Sequence, residues 1–195
     1  MPTALRPVCL LVAGALFAAG AAAQSAAPAT RPSGRVSLAL TYDVQGSNLT
    51  TSSSFWLQGG AAEVNMRIFR GLGATASVMG VHTGNSGGGV PVSLIAETFG
   101  PSYTFTRPMH SHSVSFFARG LLGESNGFNG VYPSKGGLLS SSDSLAAVIG
   151  GGVDISLSHH LGLRVVQVDY VRTQFPNSLE NVQNNLRIGA GIIFH

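Results

Sequence analysis

The sequence predicts an all-β protein, an eight-stranded antiparallel up-and-down transmembrane β-barrel, and three observations carry that prediction. Apolar residues alternate with polar or small ones along most of the chain. In the last segment Leu186, Ile188, Ala190, Ile192 and Phe194 share one parity, against Asn185, Arg187, Gly189 and Gly191 on the other. Successive strand side chains point to opposite faces, so this segment has one greasy face and one that accepts charge. The N-terminus reads as an export signal. Finally, mean hydropathy is +0.27 and charged residues make up only 10%, yet past the N-terminus no apolar run approaches the roughly 20 residues of a membrane helix. Dispersed hydropathy of this kind suits membrane-crossing strands.

Residues 1–23 have the layout of a secretory signal. Arg6 forms the charged n-region, Val8 to Ala19 the apolar stretch, and Ala21-Ala22-Ala23 a small-residue cleavage site before Gln24. The only cysteine, Cys9, falls inside it, and Arg6-Pro7-Val8 does not match a lipoprotein cleavage box. Cleavage after about Ala23 leaves a chain with no thiol, hence no disulfide, Cys-ligated metal or Cys nucleophile. Residues 24–34 are a linker of mostly small residues with Pro28 and Pro32, and residues 35–195 form the barrel domain. Loss of Arg6 lowers the formal charge from +3 to +2, ten Lys plus Arg against eight Asp plus Glu. No basic patch for nucleic acid results.

The strands follow in order. Arg35 to Val44 sets Val36, Leu38, Leu40, Tyr42 and Val44 against Ser37, Thr41 and Asp43, and Gln45 to Phe55 is a polar loop. Trp56 to Phe69 sets Ala62, Val64, Met66 and Ile68 against Glu63, Asn65 and Arg67; a tight turn at Arg70-Gly71 leads into Leu72 to Thr83. After the Gly-rich loop Gly84 to Pro91 comes Ser93 to Thr106, with Phe99, Tyr103 and Phe105 outward, then a short connection at Arg107 to Ser111. His112 to Glu124 opposes Val114, Phe116, Ala118 and Leu122 to Arg119, and Asn126 to Asp143 reads as a third long loop. Ser144 to Leu157 turns Ile149, Val153 and Ile155 away from Asp154, and Ser158-His159-His160 is a short turn. In Leu161 to Thr173, Val166, Val168 and Tyr170 face away from Gln167 and Asp169. Arg164 shares the apolar parity there, which puts it near the membrane edge with its stem snorkelling. Gln174 to Val182 is the fourth long loop, before the closing strand.

Short and long connections thus alternate, the rhythm of a bacterial barrel with periplasmic turns and extracellular loops. Lipid offers backbone edges no hydrogen-bond partner, so such a sheet must close. A soluble carrier barrel with an apolar interior is the competing architecture. It would need a charged exterior, whereas the polar parity here is mostly Gly, Ser, Thr and Asn. An eight-stranded lumen is only wide enough for side chains to fill. It is expected to hold Asp43, Glu63, Arg67, Arg119, Asp154, Asp169 and Arg187 as a paired network that plugs the channel. A narrow pore or small-solute channel, in which an arginine changes carboxylate partners, is the alternative.

With its signal, eight alternating strands and Phe194-ended closing strand, the chain resembles the small OmpA-type outer-membrane β-barrel family over nearly all of residues 35–195. The resemblance implies residence in outer-membrane lipid and insertion by the barrel-assembly machinery. Leu186, Ile188, Ala190, Ile192 and Phe194 fit the assembly signal, although His195 follows the aromatic. The peptidoglycan-binding domain of some relatives is not expected.

A lipid-modifying enzyme is the reading from a different class, suggested by His110-Ser111-His112-Ser113 with Glu124. At about 3.3 Å per residue, His112 and Glu124 on one strand stand far beyond hydrogen-bond reach. No catalytic residue is assigned, and His110, His112, His159 and His160 are read as solvated turn residues before metal ligands. Gly87-Gly88-Gly89 lacks the Lys and helix of a phosphate loop, and Gly150-Gly151-Gly152 lies within a strand. Neither cofactor nor metal is implied. Phe55, Trp56, Tyr103, Phe105, Tyr170 and Phe194 read as interfacial or lipid-facing anchors. The expected role is structural or surface-interacting, through loops whose Ser, Thr, Asn and Gly suit polar contact with a glycan or surface ligand.

Overall fold

The computed structural model describes residues 36–48, 54–86, 89–109, 112–134, 137–177 and 181–195. The expected signal and linker, together with His110, Ser111 and Lys135, lie outside this set. Eight strands follow in order: β1 Val36–Ser47, β2 Phe55–Phe69, β3 Leu72–Thr83, β4 Val92–Pro108, β5 Ser113–Ser134, β6 Gly137–Ser156, β7 Leu161–Thr173 and β8 Gln183–Phe194. Each pairs antiparallel with the next, and β1 pairs with β8, so the sheet closes into a barrel.

The closure is staggered. Ladder partners run Leu38, Val64, Ala76, Phe99, Leu122, Ala147, Arg172, Asn184 from β1 round to β8. Leu38 itself pairs with Phe194, ten residues further along β8 (194 against 184). This stagger tilts the strands and sets the bore. At one end lie the short connections β2–β3, β4–β5 and β6–β7 with both Val36 and Phe194. Arg70 and Gly71 make the tightest of them with φ of 45° and 91°, the left-handed pair that a two-residue hairpin turn demands. The longer connections β1–β2, β3–β4 and β7–β8 lie at the other end, with the two-residue connection between β5 and β6.

Alternation becomes two faces. Tyr42, Phe99, Leu122, Ile149 and Ile188 stand exposed on the outside, as do Trp56, Tyr103, Phe105, Tyr170 and Phe194, while Asp43, Glu63, Arg119, Asp169 and Arg187 are buried inside. Phe55 departs from the lipid-facing expectation. Being next to Trp56 in the strand it takes the opposite face, and it packs inside with Leu57, Val81, Leu94, Tyr132 and Phe175.

The segment 126–143 also differs from its reading as a loop. β5 and β6 continue through it as a hairpin, with pairs from Asn126↔Asp143 to Phe128↔Ser141 and from Tyr132↔Leu139 to Ser134↔Gly137. The register shifts between them, where Asn129 takes φ 59°. A bulge of this kind lets a Gly- and Asn-rich stretch stay in a ladder. Neither neighbouring strand keeps pace: β4 pairs with β5 no further than Phe128, and β7 with β6 no further than Ala146. The hairpin therefore projects beyond the strands on either side of it.

Candidate functional site

The lumen has two tiers. At the long-loop end it is apolar: Phe55, Leu57, Met79, Val81, Val92, Leu94, Ala96, Tyr132 and Phe175 form one buried cluster. Phe175 comes from the β7–β8 connection and is held there by Gln183. The Gln183 side chain accepts from Phe175 N at 2.8 Å and donates to Phe175 O at 2.9 Å, so a buried loop backbone is satisfied by one amide. Tyr132 meets Phe175 with ring centroids 5.6 Å apart.

Below this tier runs a ladder of alternating charge. Arg187 donates to Asp169 from Nε at 3.0 Å and Nη2 at 2.7 Å. Asp169 also receives Arg119 Nη2 at 2.9 Å, and Arg119 Nη1 reaches Glu63 at 2.5 Å. Arg164 Nη1 joins Glu63 from the other side at 2.5 Å, and Arg164 Nε and Nη2 hold Asp154 at 2.9 and 3.2 Å. Gln167 stitches the middle, donating to Asp169 at 2.8 Å and to Glu63 at 3.3 Å while accepting from Arg164 at 2.7 Å. The guanidinium planes of Arg164 and Arg119 sit 4.2 and 5.6 Å from the Phe117 ring centroid, where the ring face favours a cation. Each ion has left water at a cost of several kcal/mol and is stable there only because hydrogen bonds surround it.

Two placements correct the sequence reading. Arg164 does not lie at the membrane edge; its side chain is 8% exposed, inside the lumen. Between Arg164 and Gln167 the β7–β8 register shifts, and Val165 is exposed. Residues three apart would face opposite ways in a regular strand, and this bulge lets both point inward. Arg67 was expected within the network, but it stands exposed at the short-turn end and forms no ion pair among the described residues. There it lines a mouth cavity of about 50 Å³ with Asp154, Arg164 and His195. Burial pushes the His195 imidazole below its usual value, opposed by Asp154 and assisted by Arg67.

Glycines make the room. A Cβ at Gly150 would collide with the Asp169 carboxylate, and one at Gly152 with the Phe117 ring. Part of the glycine run in β6 is thus the wall against which the ladder lies. Leu186, Ile188, Ala190, Ile192 and Phe194 form one exposed stripe on β8. His112, His159 and His160 are exposed at the short-turn end, and Glu124 stands outward on β5. No set of three metal-ligating side chains occurs among the described residues.

A closed eight-stranded barrel with an apolar exterior and a buried ionic interior has the fold of small outer-membrane barrels of OmpA-like type. The solved structures it resembles are of that type. Neisserial surface protein A matches with a TM-score of 0.55 at 13% identity, over 83% of this chain and 97% of that one. Ail, the attachment invasion locus protein of Yersinia pestis, matches with 0.47 at 15% identity, over 82% and 97%. The N-terminal barrel domain of Pseudomonas aeruginosa OprF matches with 0.44 at 13% identity, over 81% and 96%. By sequence, no family model and no curated protein matches the chain.

Proposed function

We propose that this chain is a closed, non-catalytic protein of the bacterial outer membrane that presents its long-loop end as an interaction surface. The observation that carries this reading is the inverted distribution of side chains: large apolar groups exposed outside, and Glu63, Arg119, Asp169 and Arg187 buried inside. Lipid is the solvent in which that distribution is stable. Short turns and both strand ends then face the periplasm, and the long loops face outward. The signal at residues 1–23 directs export, and the apolar stripe ending in Phe194 serves recognition by the barrel-assembly machinery. The projecting β5–β6 hairpin exposes Val131, Leu138 and Leu139, which with the neighbouring serines offers mixed apolar and polar contact to a surface ligand or glycan.

Heat-modifiable gel migration of the chain purified from membranes, followed by planar-bilayer recording, tests the reading. A boiling-dependent shift without conductance supports it; a soluble chain with no shift overturns it.

A narrow pore is the second reading, and one feature favours it: Arg187 bonds Asp169 while standing 3.9 Å from Asp43, so a second carboxylate is at hand. An exchange of partners alone does not open a path, because the apolar tier around Leu57 and Phe175 still fills the long-loop end. Discrete conductance steps in the same recording would favour the pore.

A further inference from the structure

Three guanidinium groups, Arg119, Arg164 and Arg187, serve four lumen carboxylates, and their hydrogen bonds go to only three. Glu63, Asp154 and Asp169 each accept at least two. Asp43 is fully buried, yet among the described residues neither carboxylate oxygen accepts a hydrogen bond by distance and angle, and its one ion-pair contact is Arg187 Nη1 at 3.9 Å. Arg187 is not free to serve it: Nε and Nη2 are engaged by Asp169 and Nη1 by Met79 Sδ at 2.7 Å. An ionised carboxylate in that position is costly unless something neutralises it.

Asp43 does not stand alone. Gln45 Oε1, Ser47 Oγ and Asn185 Oδ1 are likewise buried without partners among the described residues, and Thr41 Oγ1 lies beside the carboxylate. Thr41, Asp43, Gln45 and Ser47 are alternate residues of β1, so their side chains share the inner face about 7 Å apart. On β8, Arg187 lies opposite Gln45 and Gly189 opposite Asp43, which puts Asn185 on the same strip of wall. A Cβ at Gly189 would collide with the Asp43 carboxylate, so the wall is recessed where the charge lies. The file climbs from Asp43 to Ser47, beside exposed Asn48, and below Asp43 the charge ladder closes it.

We propose that this oxygen-lined strip holds one alkali-metal cation at Asp43, between the charge ladder below and the apolar tier above. Hard cations take carboxylate, amide and hydroxyl oxygens, and every unpartnered atom of the strip is such an oxygen. A single positive charge balances four lumen carboxylates against three arginines, at the one carboxylate to which no arginine hydrogen bond goes. The site is a dead end, so it binds without conducting.

Equilibrium dialysis of the folded full chain in detergent against radioactive sodium tests this, with folding checked by heat-modifiable migration. The expected result is one sodium ion per barrel, displaced by potassium or lithium chloride but not by N-methylglucamine chloride at equal ionic strength. Asp43→Asn should weaken binding at least tenfold, whereas Glu124→Gln, an outward carboxylate, should leave it unchanged. If Asp43→Asn does not fold, Gln45→Leu keeps the charge, removes one oxygen and should weaken binding several-fold. The proposal is overturned by the absence of saturable sodium on the folded chain, or by undiminished binding in a folded Asp43→Asn chain. Equally fatal would be the infrared band of a protonated carboxylic acid, present in the wild type at neutral pH and lost with Asp43.

Discussion

Arg164 on β7 meets Glu63 on β2 across the barrel, Nη1 to Oε2 at 2.5 Å, although they are 101 positions apart in the chain. The two strands are not neighbours in the sheet, so this pair ties opposite walls together. Removing Arg164 takes from buried Glu63 one of its two arginine partners and from Asp154 its one ion-pair partner among the described residues. Arg164→Met should therefore cost about 3–5 kcal/mol, whereas Arg67→Met, at the exposed mouth, should cost no more than about 0.5 kcal/mol. Urea unfolding in detergent followed by gel migration measures both.

The inward turn of Arg164 depends on the bulge that follows it. Deleting Val166 removes the extra residue and forces the residues below it on β7 onto the opposite face, which swings the guanidinium into lipid. Such a chain should lose the heat-resistant form entirely. Val166→Ala keeps the residue count and should retain that form.

Phe175 closes the long-loop end from a connection rather than from a strand. Phe175→Ala removes a fully buried ring and should destabilise the protein by about 3 kcal/mol. Amide exchange should quicken in 174–183 and stay slow in β1 and β2. If the ladder beneath is the inner seal, the variant still does not conduct.

His195 supplies a pH dependence. Its folded value lies below the ordinary 6.5, so between the two values the unfolded chain binds more protons and stability rises with pH. Acidification from neutral through about 6.5 and below should weaken the barrel until the lowered folded value is passed. His195→Gln should flatten that part of the profile, measured as urea midpoint against pH.

Much of this architecture is legible in the sequence because the strand period is two: Leu186 to Phe194 announces its lipid face, and Glu63, Arg119 and Asp169 fall on the inner parity without reference to any distant residue. What local alternation does not carry is the insertion of a residue. The bulge after Arg164 reverses the parity, leaving an apparently misplaced arginine beside Val165 and Val166 as its only trace. The hairpin beyond Asn126 is hidden for another reason, since with two open edges and few apolar residues it lacks the half-buried pattern of a strand. The apolar tier left a faint signal in Met79 and Val81, which share the parity of Thr75 and Ser77. Phe175 left none, because its burial is set by Gln183 and Tyr132 from other strands.

Trp56 offers the most direct test of the central claim, that this barrel faces lipid with its apolar surface. It is the only tryptophan and stands 59% exposed on the outer face near the long-loop end of β2, the level at which tryptophan settles in a bilayer interface. In bilayers of brominated lipid its fluorescence should be strongly quenched, most by bromines placed near the headgroups, and nearly untouched by aqueous acrylamide. Fluorescence indifferent to brominated lipid and quenched by acrylamide would contradict the account.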